Sequence, residues 1–464
     1  NTTDDDSPGA GGDSSPRGID VLRRLFRLAG PYFWATPKRG RLMLQLGMLF
    51  GLILCQVSVP VLINWWNREL FDALEKRALD TFLVLIGEIA LILLYTIAVN
   101  VVHLRIKRRI QLGWRRWLTH RLQDKWMAMG HHYRLTHRPG DHDNPDGRIA
   151  EDIRNATEVA IELGNSLVYC LLLVVSFIDI LWRLSRDVVL TLPWGEVPVP
   201  GFMVWMAFVY AFGAAMLAIW AGQPLIRATD RRQAAEADYR YVLVRARQNS
   251  ESIALLHGEV GERRRFTALF RGIEGAWNRQ TRGLVRLFSF TSGYTVTSAV
   301  FPVLIAAPRY ILGEISLGTL MQTAQAFQQL TAALSWPVDN MQRLAEWRAS
   351  VERVLALDAA LTALQNDTSR PDAHAIVVAK SSTPTLCLHD LTLANPDGSV
   401  AMSGLSLEIL PGERVLISGD QGVAVKLFKA VAGLWPWGSG TVSLPSDSTM
   451  FFVPQRPYLP MGSL

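Results

Sequence analysis

The sequence predicts an all-α membrane domain with six spanning helices, followed by the first part of an α/β domain of the P-loop type. Two observations predict this fold class. Long stretches with few or no charges recur through the first three quarters of the chain and alternate with basic helical segments. Residues 372–464 then change to short apolar strands, tight turns and a glycine-containing loop that leads into a helix.

The composition and charge favour a membrane protein. The 464 residues are 49% hydrophobic and 19% charged, which is apolar for a soluble protein of this size. The net charge of +6 falls between apolar stretches, so it indicates positive-inside topology and no nucleic-acid partner. Three widely spaced cysteines predict neither a disulfide framework nor a metal cluster. Because the sequence begins at Asn1 without Met and stops abruptly at Leu464, we expect a fragment or an edited terminus.

The N-terminal segment precedes the membrane domain. Residues 1–18 are rich in Asp, Gly, Ser and Pro, a composition typical of a disordered tail. Residues 19–41 place apolar and basic side chains at helical spacing, which predicts a helix on the membrane surface. We assign residues 19–360 to the membrane domain and residues 361–371 to a linker.

The first two predicted spans set the topology. Residues 42–64 carry no charge and are long enough for a hydrocarbon core, which needs about 20 residues. Residues 81–103 form the second span and are interrupted only by Glu88. Residues 104–138 then hold ten Lys or Arg and one acid, Asp124, which places this loop in the cytoplasm.

The other spans repeat this plan. They cover residues 164–182, 201–220, 287–307 and 312–336. The segments 104–163 and 223–286, after the second and fourth spans, are predicted to be long cytoplasmic helices. Both termini then also face the cytoplasm.

The C-terminal segment contains the candidate phosphate site. Residues 385–393, 405–409 and 413–418 are predicted strands, and a further strand begins the segment 450–464. The loop after residue 418 has the strand–loop–helix frame in which free N–H groups bind phosphate. The motif expected there is Gly-x-x-x-x-Gly-Lys-Ser/Thr. Six candidate nucleotide-binding residues lie in this loop: Gly419, Gly422, Val423, Ala424, Val425 and Lys426.

Four stretches carry a resemblance to a known family. They are NPDGRIAEDI (residues 144–153), EADYRYVLVRARQNSESIALLHGE (236–259), AGLWPWGSG (432–440) and VPQRPYLPMGSL (453–464). Together with six spans, they resemble an ATP-binding cassette half-transporter. The subfamily is that of the peroxisomal fatty-acyl transporters and their bacterial SbmA/BacA-like and vitamin-B12-type relatives. The resemblance covers roughly residues 30–464.

The resemblance implies further properties. The membrane domain is then of the exporter type, and residues 372–464 are a nucleotide-binding domain that ends after the Q-loop. Gln455 resembles the Q-loop glutamine, which contacts Mg²⁺, so ATP and Mg²⁺ are the implied cofactors. The family implies a homodimer in the bacterial inner membrane, with a peptide, cobalamin or acyl-CoA-like substrate. Residues 144–153 and 249–256 resemble coupling segments, and solvated helices with i,i+4 charge pairs are the alternative.

The chain departs from the family at the phosphate loop. If the motif is counted forward from Gly419, Val425 stands at the lysine position. If it is counted backward from AGLWP, Ala424 stands there. Lys426 or Val425 replaces the hydroxyl that binds Mg²⁺. Hydrolysis depends on positioning and the metal, so we expect slow or no hydrolysis. In the family the signature, the acidic Walker B strand, the catalytic Glu and the switch His follow Gln455, and this sequence holds no catalytic residue.

Polar residues inside the spans are candidates for a transport path. Glu88 is a candidate proton carrier, because the SbmA/BacA-like relatives that lack a nucleotide domain are proton-driven; a hydrogen bond inside the helix bundle is the alternative. Gln322, Gln325 and Gln329 share one helix face at spacings i, i+3 and i+7. They could line a substrate path or bond neighbouring helices.

Three hypotheses follow. The first is an ATP-driven homodimeric transporter that alternates access and carries a peptide-like or amphipathic solute. The second is a transporter of the same fold with a degenerate nucleotide domain, coupled to protons or paired with a competent half. The third is a membrane protein that does not transport and uses the domain as a nucleotide sensor or docking module.

Overall fold

The structure is a computed structural model, and it describes residues 29–34, 39–137, 144–186, 189–192, 195–369, 376–446 and 450–453. The predicted tail, residues 1–18, lies outside the described residues. Of the predicted membrane-surface helix, residues 29–34 are helical. The chain forms two compact units. The first draws on Asn1–Arg39, Gln111–Val159 and Glu346–Leu464, and the second on Gly40–Ile110 and Ala160–Ala345.

Most of the described chain up to residue 369 is helical. The helices are α1 (Arg39–Glu75), α2 (Leu79–Met127), α3 (His131–Leu135), α4 (Ile153–Leu184), α5 (Phe202–Gln248), α6 (Ser250–Leu255), α7 (Glu259–Ile311), α8 (Leu317–Leu334), α9 (Trp336–Asp339) and α10 (Met341–Ser369). Shorter helical turns, Ala128–Gly130, Pro145–Gly147 and Arg148–Asp152, precede α3 and α4. An antiparallel hairpin, β1 (Val189–Leu192) and β2 (Gly195–Pro198), lies between α4 and α5.

Five helical segments of the described chain are long and apolar enough to cross a membrane. They are Arg39–Glu75, Leu79–Leu135, Pro145–Leu184, Phe202–Gln248 and Glu259–Ile311. Four of them contain a complete predicted span, and Phe202–Gln248 contains the fourth predicted span, residues 201–220, except for Gly201. The sixth predicted span, residues 312–336, contains α8, which is not among the five, so its crossing of the membrane stays a prediction.

Helix α8 nevertheless lies in the apolar core of the second unit. Leu320, Ala326, Phe327, Leu330 and Ala333 belong to this core, together with side chains of α1, α4, α5 and α7. Phe327 and Leu330 are fully buried. A helix that is enclosed by protein meets less lipid than an outer span, so it can hold more polar residues.

The linker predicted at residues 361–371 differs from the structure. Helix α10 continues to Ser369, because the sequence ALTALQ within it consists mostly of good helix formers and holds neither Gly nor Pro. The predicted spans likewise continue into the polar segments beside them. Helix α2, for example, joins the second span to the basic segment and ends only at Met127.

A four-stranded sheet forms the C-terminal part of the first unit. Its strands are β3 (Val377–Ser381), β4 (Leu386–Ala394), β5 (Val400–Ile409) and β6 (Gly438–Pro445), in the order β3-β6-β4-β5. Only β3 and β6 are parallel. Helix α11 (Gln421–Val431) packs Leu427 and Ala430 into a core with Leu391 and Leu393 of β4 and Val442 of β6.

Two predicted strands are wrong in the described residues. Glu413–Ser418 is not a strand, and the Leu416 side chain in it is 90% exposed. A strand needs a neighbour that completes its ladder of hydrogen bonds. Within the described part of the chain, neither this segment nor Met450–Val453 has a paired strand beside it. Residues 454–464 lie outside the described residues.

Candidate functional site

The candidate phosphate loop lies at the start of α11. The Asp420 side chain caps this helix: its Oδ1 accepts hydrogen bonds from the backbone N–H of Gly422 at 2.7 Å and of Val423 at 3.1 Å. These two N–H groups are among those predicted to bind phosphate. A helix N-terminus attracts anions through its free N–H groups and its dipole. In this structure the carboxylate of Asp420 takes that place.

Lys426 is bound to the turn between β4 and β5. Its Nζ donates to Asn395 Oδ1 at 2.6 Å. In the same turn, Asp397 Oδ1 accepts from the backbone N–H and the hydroxyl of Ser399. These hydrogen bonds, with a smaller contribution from the charge of Lys426, hold the pKa of Asp397 below its usual range. The only cation among the predicted phosphate ligands is therefore engaged by a turn.

The other predicted ligands provide backbone groups only. Gly419 has a φ of +122°, a conformation that glycine tolerates best. Ala424 and Val425 are half-buried and offer neither a charge nor a hydroxyl. Gln455, the predicted Mg²⁺ contact, lies outside the described residues. The described loop therefore does not fit a magnesium-bound triphosphate, because Asp420 caps two of its N–H groups and apolar residues stand at the lysine position.

The first unit also contains a contact that the sequence analysis missed. Arg134, in α3, donates from Nη2 to the backbone oxygen of Gly433 at 3.3 Å, and burial lowers the pKa of this guanidinium. The ring of His137, just after α3, lies 5.6 Å from the rings of both Trp435 and Trp437, measured between centroids. The AGLWPWG stretch after α11 thus binds the segment around α3. The sequence pattern identifies AGLWPWG as a family motif, but it could not show that this stretch contacts the segment around α3.

The segment resembling the first coupling region is tied to α10. Arg353 donates from Nε to Asp152 Oδ2 at 2.8 Å and from Nη2 to Asp152 Oδ1 at 2.6 Å. Arg148 Nη1 donates to the backbone oxygen of Arg353 at 3.1 Å. The Asp152 side chain is only 10% exposed, while Arg353 is 43% exposed, so water screens the pair mainly from the arginine side. The second region forms the short helix α6, and the coupling role of both regions stays a prediction.

The predicted path residues occupy different surroundings in the second unit. Glu88 is half-buried in α2 and makes no hydrogen bond or ion pair within the described residues. Gln325 Oε1 accepts from Asn67 Nδ2 of α1 at 2.7 Å. Gln322 is buried and its Oε1 has no partner in the described structure, while Gln329 is half-buried. The structure therefore joins Gln325 to α1 and does not bring Glu88 into this hydrogen-bonded group.

A basic cavity of about 540 Å³ lies between α5 and α7 of the second unit. It is lined by five arginines: Arg227, Arg231, Arg279, Arg282 and Arg286. Within the described chain none of the five forms an ion pair, and no carboxylate lines the cavity. Trp220 and Pro224 add apolar surface, and Gly283 lets the two helices approach closely, since a Cβ there would lie 3.1 Å from the Cα of Leu225.

The sequence predicts residues 223–286 only as a long cytoplasmic helix, without singling out these five arginines. The spacing of these arginines along the sequence indicates which of them share a helix face. Arg227 and Arg231 are four residues apart, and Arg279, Arg282 and Arg286 follow the pattern i, i+3, i+7. Each set therefore lies on one helix face. That the two faces line one cavity follows only from the packing of α5 against α7.

Comparisons with known proteins agree with this arrangement of helices. Residues 32–311 match the family described as ABC transporter transmembrane region 2. An uncharacterized ABC transporter ATP-binding protein of Synechocystis is 29% identical over 91% of this chain and 62% of its own length. The inner membrane ABC transporter ATP-binding protein YddA of Escherichia coli is 28% identical over 93% of this chain and 75% of its own. The chloroplastic ABC transporter D family member 2 of Arabidopsis thaliana is 25% identical over 96% of this chain and 66% of its own.

The family match covers more than half of the chain and includes all five helices that are long enough to cross a membrane. The relatives include both bacterial proteins and D-subfamily members, the two groups that the sequence motifs resemble. The chain spans less than two thirds of the Synechocystis relative and about three quarters of YddA. It is a multi-pass membrane protein, and it belongs to the ABC transporters with a membrane domain of the transmembrane region 2 family.

Proposed function

We propose that the chain forms one half of a homodimeric transporter that moves an amphipathic solute with an anionic group across the bacterial inner membrane by alternating access. The basic cavity between α5 and α7 carries this proposal. The membrane is inferred from YddA, which is named as an inner membrane protein. Alternating access and the homodimer are inferred from the family resemblance.

The chemistry of the cavity selects the solute class. Five guanidinium groups without a paired carboxylate leave a local excess of positive charge in one cavity. Guanidinium groups bind carboxylates and phosphates through two parallel hydrogen bonds, more strongly than neutral donors do. Both helices that line the cavity also contain membrane-crossing stretches. An anionic head group can therefore bind the arginines while an apolar tail meets the helix surfaces.

The energy source has two candidates. The relatives are named as ATP-binding proteins, which supports coupling to ATP through the α/β domain. The cap formed by Asp420 and the apolar residues at the lysine position favour the second: a transporter of the same fold that uses a proton gradient or a competent partner half. Both candidate energy sources would act on the same solute-binding site, so solute binding can be tested separately from the energy source.

The test measures binding of a matched pair of probes to the full-length protein in nanodiscs. One probe is dodecyl phosphate with a fluorescent group at its far end, and the other is the corresponding dodecanol. Each charged hydrogen bond contributes about 1.5–3 kcal/mol, so we expect Arg279→Gln with Arg282→Gln to weaken phosphate binding at least about tenfold. Binding of the alcohol should not change.

The control is Arg263→Gln with Arg264→Gln, two exposed arginines of the same helix outside the cavity. It removes the same charge from α7 and should leave the affinity for the phosphate unchanged. Equal weakening by the two double variants would contradict the proposed site, because it would show only the effect of net charge.

A further inference from the structure

A second cavity lies among the membrane helices of the second unit, between α1, α2 and α4. It measures about 320 Å³, within the range of about 300–1,000 Å³ that ligand pockets show. Its polar lining includes Gln56, Asn100, His103 and Asn165, and all four lie in predicted spans. Polar side chains inside a membrane are costly and usually serve a function. The described lining holds no Asp, Glu, Lys or Arg, so this cavity differs in chemistry from the basic one.

Hydrogen bonds in the lining fix which atoms stay available. Gln56 Nε2 donates to Asn100 Oδ1 at 2.7 Å. This bond leaves Gln56 Oε1 as an acceptor and Asn100 Nδ2 as a donor, neither with a partner in the described structure. The first pair of helices thus presents an acceptor beside a donor, in addition to the second N–H of Gln56 Nε2 and the second lone pair of Asn100 Oδ1.

The second pair repeats this arrangement. His103 Nε2 lies 2.8 Å from Asn165 Oδ1, and because an amide oxygen can only accept, Nε2 is the donor. His103 Nδ1 is then an acceptor in the neutral imidazole, and Asn165 Nδ2 is a donor; neither has a partner among the described residues. The His103 side chain is buried, and Trp336 Nε1 donates to the neighbouring Ser166 Oγ at 3.0 Å. These contacts hold α4 in place beside the cavity.

Two acceptor–donor pairs match the groups of an amide. A peptide unit offers one N–H and one C=O, so each pair can bind one unit with both of its polar groups satisfied. A carboxylate could accept from the two donors but would leave both acceptors without a hydrogen, and a cation would find no carboxylate. We propose that this cavity binds uncharged amide groups and that the transported solute is therefore an amide-bearing amphiphile. This inference builds on the proposed transport function and names the neutral part of the same solute.

The test uses two isosteric probes on the full-length protein in nanodiscs, followed by saturation-transfer difference NMR. The probes are N-acetyl-alanine N-methylamide and O-acetyl-lactate methyl ester, in which oxygen replaces both N–H groups. We expect the amide to give at least about three times the signal of the ester, since each lost hydrogen bond costs about threefold to tenfold in affinity. This comparison needs no variant, so it does not depend on any variant folding.

Shape-matched variants then locate the site. Asn165→Leu and Gln56→Met should each lower the amide signal at least about threefold, while Thr297→Val, a hydroxyl bonded to its own helix elsewhere in the membrane, should not. Arg282→Gln should also leave the amide signal unchanged, which separates this cavity from the basic one. Equal signals for amide and ester would overturn the inference. So would an unchanged amide signal in both cavity variants, or a stronger signal from methyl glucoside than from the amide.

Discussion

At the residue scale, Asp420 makes at the start of α11 the contacts that a phosphate makes in a working P-loop. Its carboxylate accepts from the N–H groups of Gly422 and Val423. It satisfies the helix end and adds a negative charge where an anion would otherwise bind. A nucleotide phosphate would have to displace it and would also be repelled by it. Asp420 therefore acts against nucleotide binding in addition to the missing lysine.

We expect Asp420→Ser to increase the affinity for a nucleotide. Serine can still cap the helix, but it removes the charge that competes with phosphate. Two unit charges about 4 Å apart repel by about 1 kcal/mol in water and more in a partly buried site, so the gain should be about fivefold or more. Titration of the full-length protein with trinitrophenyl-ATP measures it. Glu408→Gln, which removes an exposed charge from β5, is the matched control, and an equal affinity in the two variants would contradict the role of Asp420.

The sequence shows which residues of the phosphate-binding motif are missing from this loop, but it does not show which contacts take their place. The alignment with Gly-x-x-x-x-Gly-Lys-Ser/Thr showed directly that Ala424 or Val425 stands at the lysine position. It did not show that Asp420 caps the helix or that Lys426 binds Asn395, because both contacts depend on where the turn and the side chains lie. Asp420 followed by a helical segment was a recognisable N-cap signal.

At the element scale, the pair Asp152 and Arg353 joins the segment before α4 to α10. We expect Asp152→Asn to destabilise the first unit by about 1.5–3 kcal/mol, because the pair has two charged hydrogen bonds and Asp152 is nearly buried. Thermal unfolding in detergent measures the change as a lower midpoint. Glu151→Gln changes the neighbouring exposed acid and serves as the control. The same midpoint for both variants would show that the pair does not stabilise the unit.

The sequence patterns differ from the structure more at the ends of the helices than in the apolar spans. Apolar stretches with at most one charge predict the first five spans, and the five candidate membrane helices of the described chain overlap them. The patterns did not show that α2 runs on to Met127 or α10 to Ser369, because charge marks the membrane boundary and not the end of a helix. Strand prediction failed at Glu413–Ser418 for a different reason: a strand requires a partner, and local sequence does not specify one.

At the scale of the whole molecule, the two cavities of the second unit differ in charge. One is lined by five arginines, and the other by amides and a histidine. A solute that satisfies both has an anionic group and uncharged amide groups, as a peptide-like amphiphile does. The cavities constrain the solute but not the energy source.

The energy source can be tested through Glu88. This acid is half-buried in a membrane-crossing helix and has no polar partner in the described structure. Acids inside membrane helices often belong to proton relays. If transport is proton-coupled, uptake of the dodecyl phosphate probe into proteoliposomes should follow a pH gradient without ATP. Glu88→Gln should then lower this uptake at least about tenfold, because an amide cannot carry a proton. Probe binding should stay the same, since Glu88 does not line the basic cavity.

Asp179→Asn is the control for this experiment, because Asp179 is an exposed acid of α4 that pairs with Arg183 one turn away. It removes the same charge from a membrane-crossing helix and should leave uptake unchanged. Uptake that needs ATP and ignores the gradient would instead support the ATP-driven candidate, even with Asp420 at the phosphate loop. Gradient-driven uptake that persists in Glu88→Gln would keep proton coupling but exclude Glu88 as the carrier.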